Sequence, residues 1–384
     1  MTQYATRLIT LLVGLSLMAA STWANRMPTP APPALNASSY LVIDANSGAA
    51  VAAMNPDMQV EPASLTKLMT AYVVFKALEG GQIALTDEVI ISERAHAAGQ
   101  GGSSTMYARL GSRVTVENLL QGMIVVSGND ASVALAEHVA GTESVFADLM
   151  NGFAGELGML STSFRNAHGL PAENQFSTAR DMTKLARAII REFPDQYYRY
   201  SQQSYTWDGV TQSNRNKLLG SDGVDGMKTG RTDAAGWCLV TSSQRGNMRL
   251  ISAVMGTESD RARTDASRAL LNYGFRFFET RQLYAAGAAI DNAKVWKGDA
   301  DAVPLGLARD LFVTVPRGAW DELAPTLTVR RTLYAPLEQG VEVGRVSIAL
   351  DGEELTSAPV QLLGSVERGG LWKRMTDEVR LWFN

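Results

Sequence analysis

Apolar positions along this chain change period several times, and each change predicts an element. Ser39–Asp44 reads as a short apolar strand, and Asn46-Ser47-Gly48 turns it back into Ala49–Ala53 as a hairpin. Pro62 and Ala63 open a helix that carries Met69, Tyr72, Val73 and Leu78 and stops at Gly80-Gly81. From Val116 to Ala140 the pattern is helical on both sides of Ser127-Gly128-Asn129-Asp130, which places that tetrapeptide on a turn between two helices. Ala179–Phe193 is amphipathic, with Leu185, Ile189 and Ile190 on its apolar side. Trp237–Ser242 and Met248–Met255 read as strands joined by Gln244-Arg245-Gly246-Asn247, and Ala266–Phe278 as a long helix lying on the sheet. Strands at the ends and helices in the middle predict an α+β domain over residues 38–281, a helical lobe packed against an antiparallel sheet.

Beyond Arg281 the texture changes. Asp310–Val315, Leu327–Leu333, Gly344–Leu350 and Val360–Leu363 are short β-like runs, and Asp351-Gly352 after an alternating stretch signals a hairpin. Residues 282–368 therefore read as a small all-β domain, a spacer or docking module. In residues 369–384, Leu371, Trp372, Met375, Val379, Trp382 and Phe383 share one helical face, and Lys373, Arg374, Asp377, Glu378 and Arg380 take most of the other. This amphipathic helix is too short to span a bilayer. Its apolar face has two possible partners, a lipid interface and the chain's own β domain; the Trp and Phe residues favour the interface.

The first 24 residues read as a secretory signal peptide: Arg7, the apolar run Leu8–Ala20, and small residues near Ala24. Residues 25–37, rich in Pro and Ala, read as an irregular N-terminal tail. The single cysteine, Cys238, excludes an intrachain disulfide and reads as a buried strand residue. His96, His138 and His168 form no ligand pattern, so no metal is expected, nor any other cofactor. A net charge of −4 with no basic run excludes nucleic acid as the expected partner.

Three tripeptide-scale patterns follow one another: Ser64-Leu65-Thr66-Lys67, Ser127-Gly128-Asn129 and Lys228-Thr229-Gly230. Each supplies one part of an acyl-transfer site. Ser64 and Lys67 are three residues apart on one helix, within reach of a hydrogen bond. A serine hydroxyl needs a neighbouring base, and lysine is one only when neutral. A helix start, burial and a second cation such as Lys228 all oppose its charge. Ser127 offers a hydroxyl for proton relay, and the Asn129 amide can hold Lys67 and a substrate carbonyl. Lys228 and Thr229 suit a carboxylate, Gly230 permits close approach, and the Ser64 and Arg231 N–H groups can form an oxyanion hole.

With these motifs the chain resembles the low-molecular-mass penicillin-binding proteins that act as D-alanyl-D-alanine carboxypeptidases. Asn166–Leu170, Ser177–Met182, Asn214-Arg215-Asn216, Val224–Gly236 and Gly274–Glu279 carry the resemblance further. It implies a transpeptidase/β-lactamase-like catalytic domain, a small β domain and a C-terminal anchor. It also implies a periplasmic enzyme held on the outer face of the inner membrane, acting on peptidoglycan pentapeptides and acylated by β-lactams. By this resemblance Ser64 is the nucleophile, Lys67 the base, Ser127 and Asn129 supports of proton transfer, and Lys228 a substrate contact. Arg263 falls where the family has a cation near the terminal carboxylate, and Arg215 where it helps order the K-T-G strand. Arg231 departs from a close relative, which carries His.

Two other readings stay open on sequence. A serine β-lactamase shares the motifs but needs an efficient deacylating base, and Phe164–Asp181 offers Glu173 and Asn174 without the E-x-x-L-N arrangement. A non-catalytic peptidoglycan-binding protein has no need of the intact Ser/Lys/Lys set.

Overall fold

The computed structural model describes residues 29–330 and 332–382. The expected signal peptide, the start of the tail and Phe383 lie outside the described residues.

The first hairpin forms as the pattern predicts, β1 (Ser39–Asp44) with β2 (Ala50–Met54). A 3-10 turn at Ala63–Leu65 leads into α1 (Thr66–Glu79). The sequence pattern named no element in the next stretch, which holds β3 (Glu88–Ile90), α2 (Glu93–Ala98) and β4 (Arg113–Thr115). Then come α3 (Val116–Val125), α4 (Asn129–Ala140), α5 (Glu143–Glu156), α6 (Ala179–Glu192) and a short α7 (Pro194–Tyr197). The small hairpin β5 (Ser204–Trp207) and β6 (Val210–Ser213) precedes three long strands: β7 (Val224–Thr232), β8 (Gly236–Arg245) and β9 (Met248–Thr257).

These strands make an antiparallel five-stranded sheet in the order β2-β1-β9-β8-β7. Both faces are covered, which is why β1 is apolar at every inner position. Leu41 and Ile43 join the core shared with the helical lobe, and Tyr40 and Val42 join the core under α8 (Asp260–Phe277). Helix α1 runs through the first of these cores and is buried at nearly every residue, so it lacks a polar face. Helix α8 starts six residues before the expected Ala266. Its first turn, Asp260-Arg261-Ala262-Arg263, is polar, and Ser259 caps it by accepting from the Ala262 N–H.

β10 (Phe278–Tyr284) follows α8 and pairs with β13 (Leu311–Pro316). The rest of the β domain is a six-stranded sheet. Its strands are β11 (Asp291–Trp296), β12 (Ala302–Gly306), β14 (Ala324–Val329), β15 (Leu333–Tyr334), β16 (Glu342–Leu350) and β17 (Glu353–Leu362). The hairpin β16–β17 turns at Asp351-Gly352 with both φ positive, as its sequence predicts.

The terminal helix α9 (Leu371–Leu381) meets the β domain through its polar face. The Asp377 carboxylate is buried and accepts from the Lys297 N–H at 2.7 Å and from Lys373 Nζ at 3.1 Å. Lys373 also pairs with Asp301, and Lys297 with Glu378. The apolar face points away: Trp372 and Trp382 are 82 % and 80 % exposed.

Candidate active site

Ser64 lies in the 3-10 turn ahead of α1, wedged between two glycines. On one side a Cβ at Gly169 would fall 1.8 Å from the Ala63 carbonyl oxygen. On the other, a Cβ at Gly230 of β7 would meet Pro62 O at 3.1 Å and Ala63 Cβ at 3.2 Å. Both glycines let neighbouring backbone press against the turn that carries the hydroxyl.

Lys67, on the first turn of α1, is almost wholly buried. Its Nζ lies 3.0 Å from Ser64 Oγ, 2.7 Å from Asn129 Oδ1 and 2.6 Å from the His168 carbonyl oxygen. Burial lowers this ammonium to about 7, Arg215 pushes it the same way, and Asp130 opposes them.

Ser127 occupies the turn between α3 and α4 at a positive φ of 65°, and Asn129 is the first residue of α4. Asp130 holds that turn. Its carboxylate accepts from the Met106, Ala108 and Ala131 N–H groups at 3.0 Å each and from Thr105 Oγ1 at 2.7 Å. Gly128 leaves room for this, since a Cβ there would sit 2.7 Å from Asp130 Oδ1. Among the described residues, Ser127 Oγ is one of the few buried side-chain oxygens without a hydrogen-bond partner.

Strand β7 carries Lys228, Thr229, Gly230 and Arg231 past the Ser64 turn. Asn216 Nδ2 donates to the Gly226 carbonyl at 3.0 Å and Arg263 Nη1 to the Gly230 carbonyl at 3.0 Å, so both fix the strand. Strand contact from the Asn214-Arg215-Asn216 segment therefore comes from Asn216, while Arg215 lines the cleft. Burial holds the Lys228 ammonium well below its usual value, and Lys67, Arg215 and Arg263 push it further down. Such a cluster of cations favours an anion beside it.

Ser64, Ser127, Asn129, Thr229, Gly230, Arg231 and Arg263 thus line one cleft of about 330 Å³, with Lys67 and Lys228 buried against it. No Asp or Glu is among the described residues lining that cleft; Glu173 and Asn174 are exposed elsewhere. Cys238 is buried on β8, where burial raises its thiol to about 11. The described residues hold no cluster of metal-ligating side chains. Residue reasoning gave no part to the His168 carbonyl, Asp130 or Asn216. Their signal was the segments Asn166–Leu170 and Asn214–Asn216 and the residue after Ser-Gly-Asn.

Residues 26–259 match a family described as D-alanyl-D-alanine carboxypeptidase, and residues 278–368 match the C-terminal domain of penicillin-binding protein 5. The chain is 42 % identical over 393 residues to the Escherichia coli D-alanyl-D-alanine carboxypeptidase DacC, covering 100 % of this chain and 98 % of that one. To DacA of the same species it is 41 % identical over 361 residues, 92 % of this chain and 90 % of the other. The structure of penicillin binding protein 5 from Haemophilus influenzae superposes with a TM-score of 0.85 at 43 % identity, over 88 % of this chain and 100 % of that one. Penicillin-binding protein D2 of Listeria monocytogenes, solved in an ampicillin-bound form, matches with a TM-score of 0.57 at 31 % identity over 63 % of this chain and 98 % of its own. With its motif residues gathered in one cleft and these relatives matching along its length, the chain belongs to the D-alanyl-D-alanine carboxypeptidase family.

Proposed function

We propose that this chain is a serine-type D-alanyl-D-alanine carboxypeptidase that removes the terminal D-alanine of peptidoglycan pentapeptides through an ester on Ser64. The observation that carries the reading is the position of Lys67 Nζ. A neutral lysine has two N–H groups and one lone pair. Asn129 Oδ1 and the His168 carbonyl take the two N–H groups, which turns the lone pair toward Ser64 Oγ. The Ser64 O–H then donates to Nζ, and the oxygen attacks the carbonyl of the penultimate D-alanine. The backbone N–H groups of Ser64 and Arg231 face the developing oxyanion. The proton passes by way of Ser127 to the amine of the departing D-alanine, and water then cleaves the ester. Lys228, Thr229 and Arg231 hold the substrate's carboxylate end, and Arg263 braces the strand that carries them.

A β-lactam enters the same path, but its amine stays tethered to the acyl group after ring opening. With no carboxylate among the described residues that line the cleft, the adduct should be long-lived. This observation favours the carboxypeptidase over the β-lactamase reading. The test is D-alanine release from a peptide ending in D-Ala-D-Ala together with intact-mass analysis after penicillin. Wild type should release D-alanine and gain one drug mass, and Ser64→Ala should do neither.

The enzyme is exported by its leader and works in the periplasm, attached peripherally to the outer face of the cytoplasmic membrane. No helix among the described residues is long and apolar enough to cross a membrane. Attachment rests on α9, whose polar face is engaged by the β domain while Leu371, Trp372, Met375, Val379 and Trp382 stay exposed.

A further inference from the structure

In the wall of the cleft, one indole ring meets two guanidinium groups. Trp237 of β8 pairs in register with Arg231 of β7, so their side chains share a face of the sheet. The Arg231 guanidinium carbon lies 5.2 Å from the ring centroid and that of Arg263 lies 4.9 Å from it. Both distances are within the range of cation–π attraction.

The two arginines are not equivalent. Arg263 Nη1 donates to the Gly230 and Cys238 carbonyls, and its Nε and Nη2 donate to Asp260. A guanidinium has five N–H groups, and these bonds occupy four of them. Arg263 is therefore committed to holding β7, β8 and its own helix. Among the described residues, Arg231 makes one side-chain hydrogen bond, from Nη2 to Asp233, and that carboxylate is 96 % exposed. An exposed pair of this kind fixes little. What orients Arg231 is the ring beside it, and its remaining N–H groups are available at the cleft.

We propose that Trp237 is a positioning residue for substrate selection: its indole holds the Arg231 guanidinium over the cleft, and Arg231 supplies the N–H groups that read the terminal carboxylate of a D-amino acid. Arg263 then acts on the same ring from the protein side as a fixed brace. This rests on the carboxypeptidase reading above and deepens it. It assigns selectivity for a free chain end to a pair, Arg231 and Trp237, that lies outside all three motifs.

The test uses the full chain and two substrates, a peptide ending in D-Ala-D-Ala with a free carboxylate and the same peptide amidated at that end. Wild type should prefer the acid. Trp237→Leu should raise KM for the acid by about fivefold with kcat little changed, leave the amide nearly unaffected, and so reduce the acid-to-amide ratio. Trp237→Phe keeps a π face and should restore most of that ratio. In an Arg231→Ala background, Trp237→Leu should have little further effect, because the ring acts through Arg231. Equal losses on acid and amide, or an undiminished effect in the Arg231→Ala background, would overturn the proposal and leave Trp237 as a wall of the cleft. If Trp237→Leu fails to fold, Arg231→Ala at its exposed position carries the test: the ratio must fall at least as far, and an unchanged ratio overturns the proposal. Absence of D-alanine release by the wild type is a separate outcome, which overturns the activity and this inference with it.

Discussion

Lys67 donates to the backbone carbonyl of His168 at 2.6 Å, across 101 positions of sequence. That carbonyl belongs to a loop held from behind by a carboxylate. Glu143 accepts from the Ala167 N–H at 3.1 Å, lies 3.3 Å from His168 Nε2 and pairs with Arg94. Burial and the Lys67 charge lower the His168 imidazole to about 4 against the opposing pull of Glu143, so the ring is neutral at physiological pH. The acceptor for the Lys67 amine is thus a neutral, fixed dipole. It orients the nitrogen without pulling its ammonium up as a carboxylate would.

The first prediction concerns pH. Lysine abstracts a proton only when neutral, and the Lys67 ammonium titrates at about 7. The neutral fraction grows as pH rises, so acylation by a β-lactam should climb about tenfold per unit below that value and level off above it. Lys67→Arg keeps the charge at every accessible pH and should lose acylation by several orders of magnitude while the fold survives. Stopped-flow acylation from pH 5 to 9 (a span of about 4 units around the base's titration) checks both. A flat profile for wild type would remove Lys67 as the base.

Gly169→Ala should disable the nucleophile without removing a polar group. The glycine has φ of 86°, and an added Cβ would overlap the Ala63 carbonyl. The turn bearing Ser64 must move, so acylation should fall at least tenfold, in line with a roughly 1 Å misplacement at a reacting centre. The melting temperature should drop as well. Retained acylation would mean the turn accommodates the methyl.

Lys228 should matter most for substrates with a free carboxylate. Amidation removes a charge-assisted contact worth roughly 1.5–3 kcal/mol. The wild-type penalty for the amide should shrink sharply in Lys228→Ala. Steady-state kinetics with the acid and amide peptides measures it, and an equal penalty in both proteins would place carboxylate reading wholly on Arg231.

The tail allows two separable experiments. Deleting residues 370–384 should abolish co-sedimentation with anionic vesicles and leave hydrolysis of small peptides unchanged, because every group assigned to the cleft precedes residue 265. Asp377→Ala should keep vesicle binding, since the apolar face is intact, but release the helix from the β domain. Hydrogen exchange at the Lys297 amide should then accelerate, because its acceptor is gone. Unchanged protection at Lys297 would mean the ion pairs around Lys373 and Glu378 hold the helix by themselves.

Local chemistry was enough to read much of this chain from its sequence. Gly80-Gly81 ends α1, positive-φ residues at Asp351-Gly352 close the β16–β17 hairpin, and the spacing of Ser64 and Lys67 brings their side chains within a hydrogen bond, because each depends on residues within a turn of one another. Pro62 opens a 3-10 turn that carries Ser64, and α1 itself starts only at Thr66. Elements with polar beginnings escaped the same reading. The first turn of α8 carries no apolar period, and only the Ser259 cap marks it. The site completes itself through partners that no spacing encodes. The His168 carbonyl is a backbone group any residue would provide, and only the packing of Gly169 against Ala63 brings it to Lys67. Asp130 and Asn216 are ordinary polar residues until the loops they bind arrive beside them. The last helix shows the division most plainly. Its two faces are written in Leu371–Trp382, but which face meets the protein was decided by one buried carboxylate, Asp377, finding the unpaired Lys297 N–H of a distant strand end.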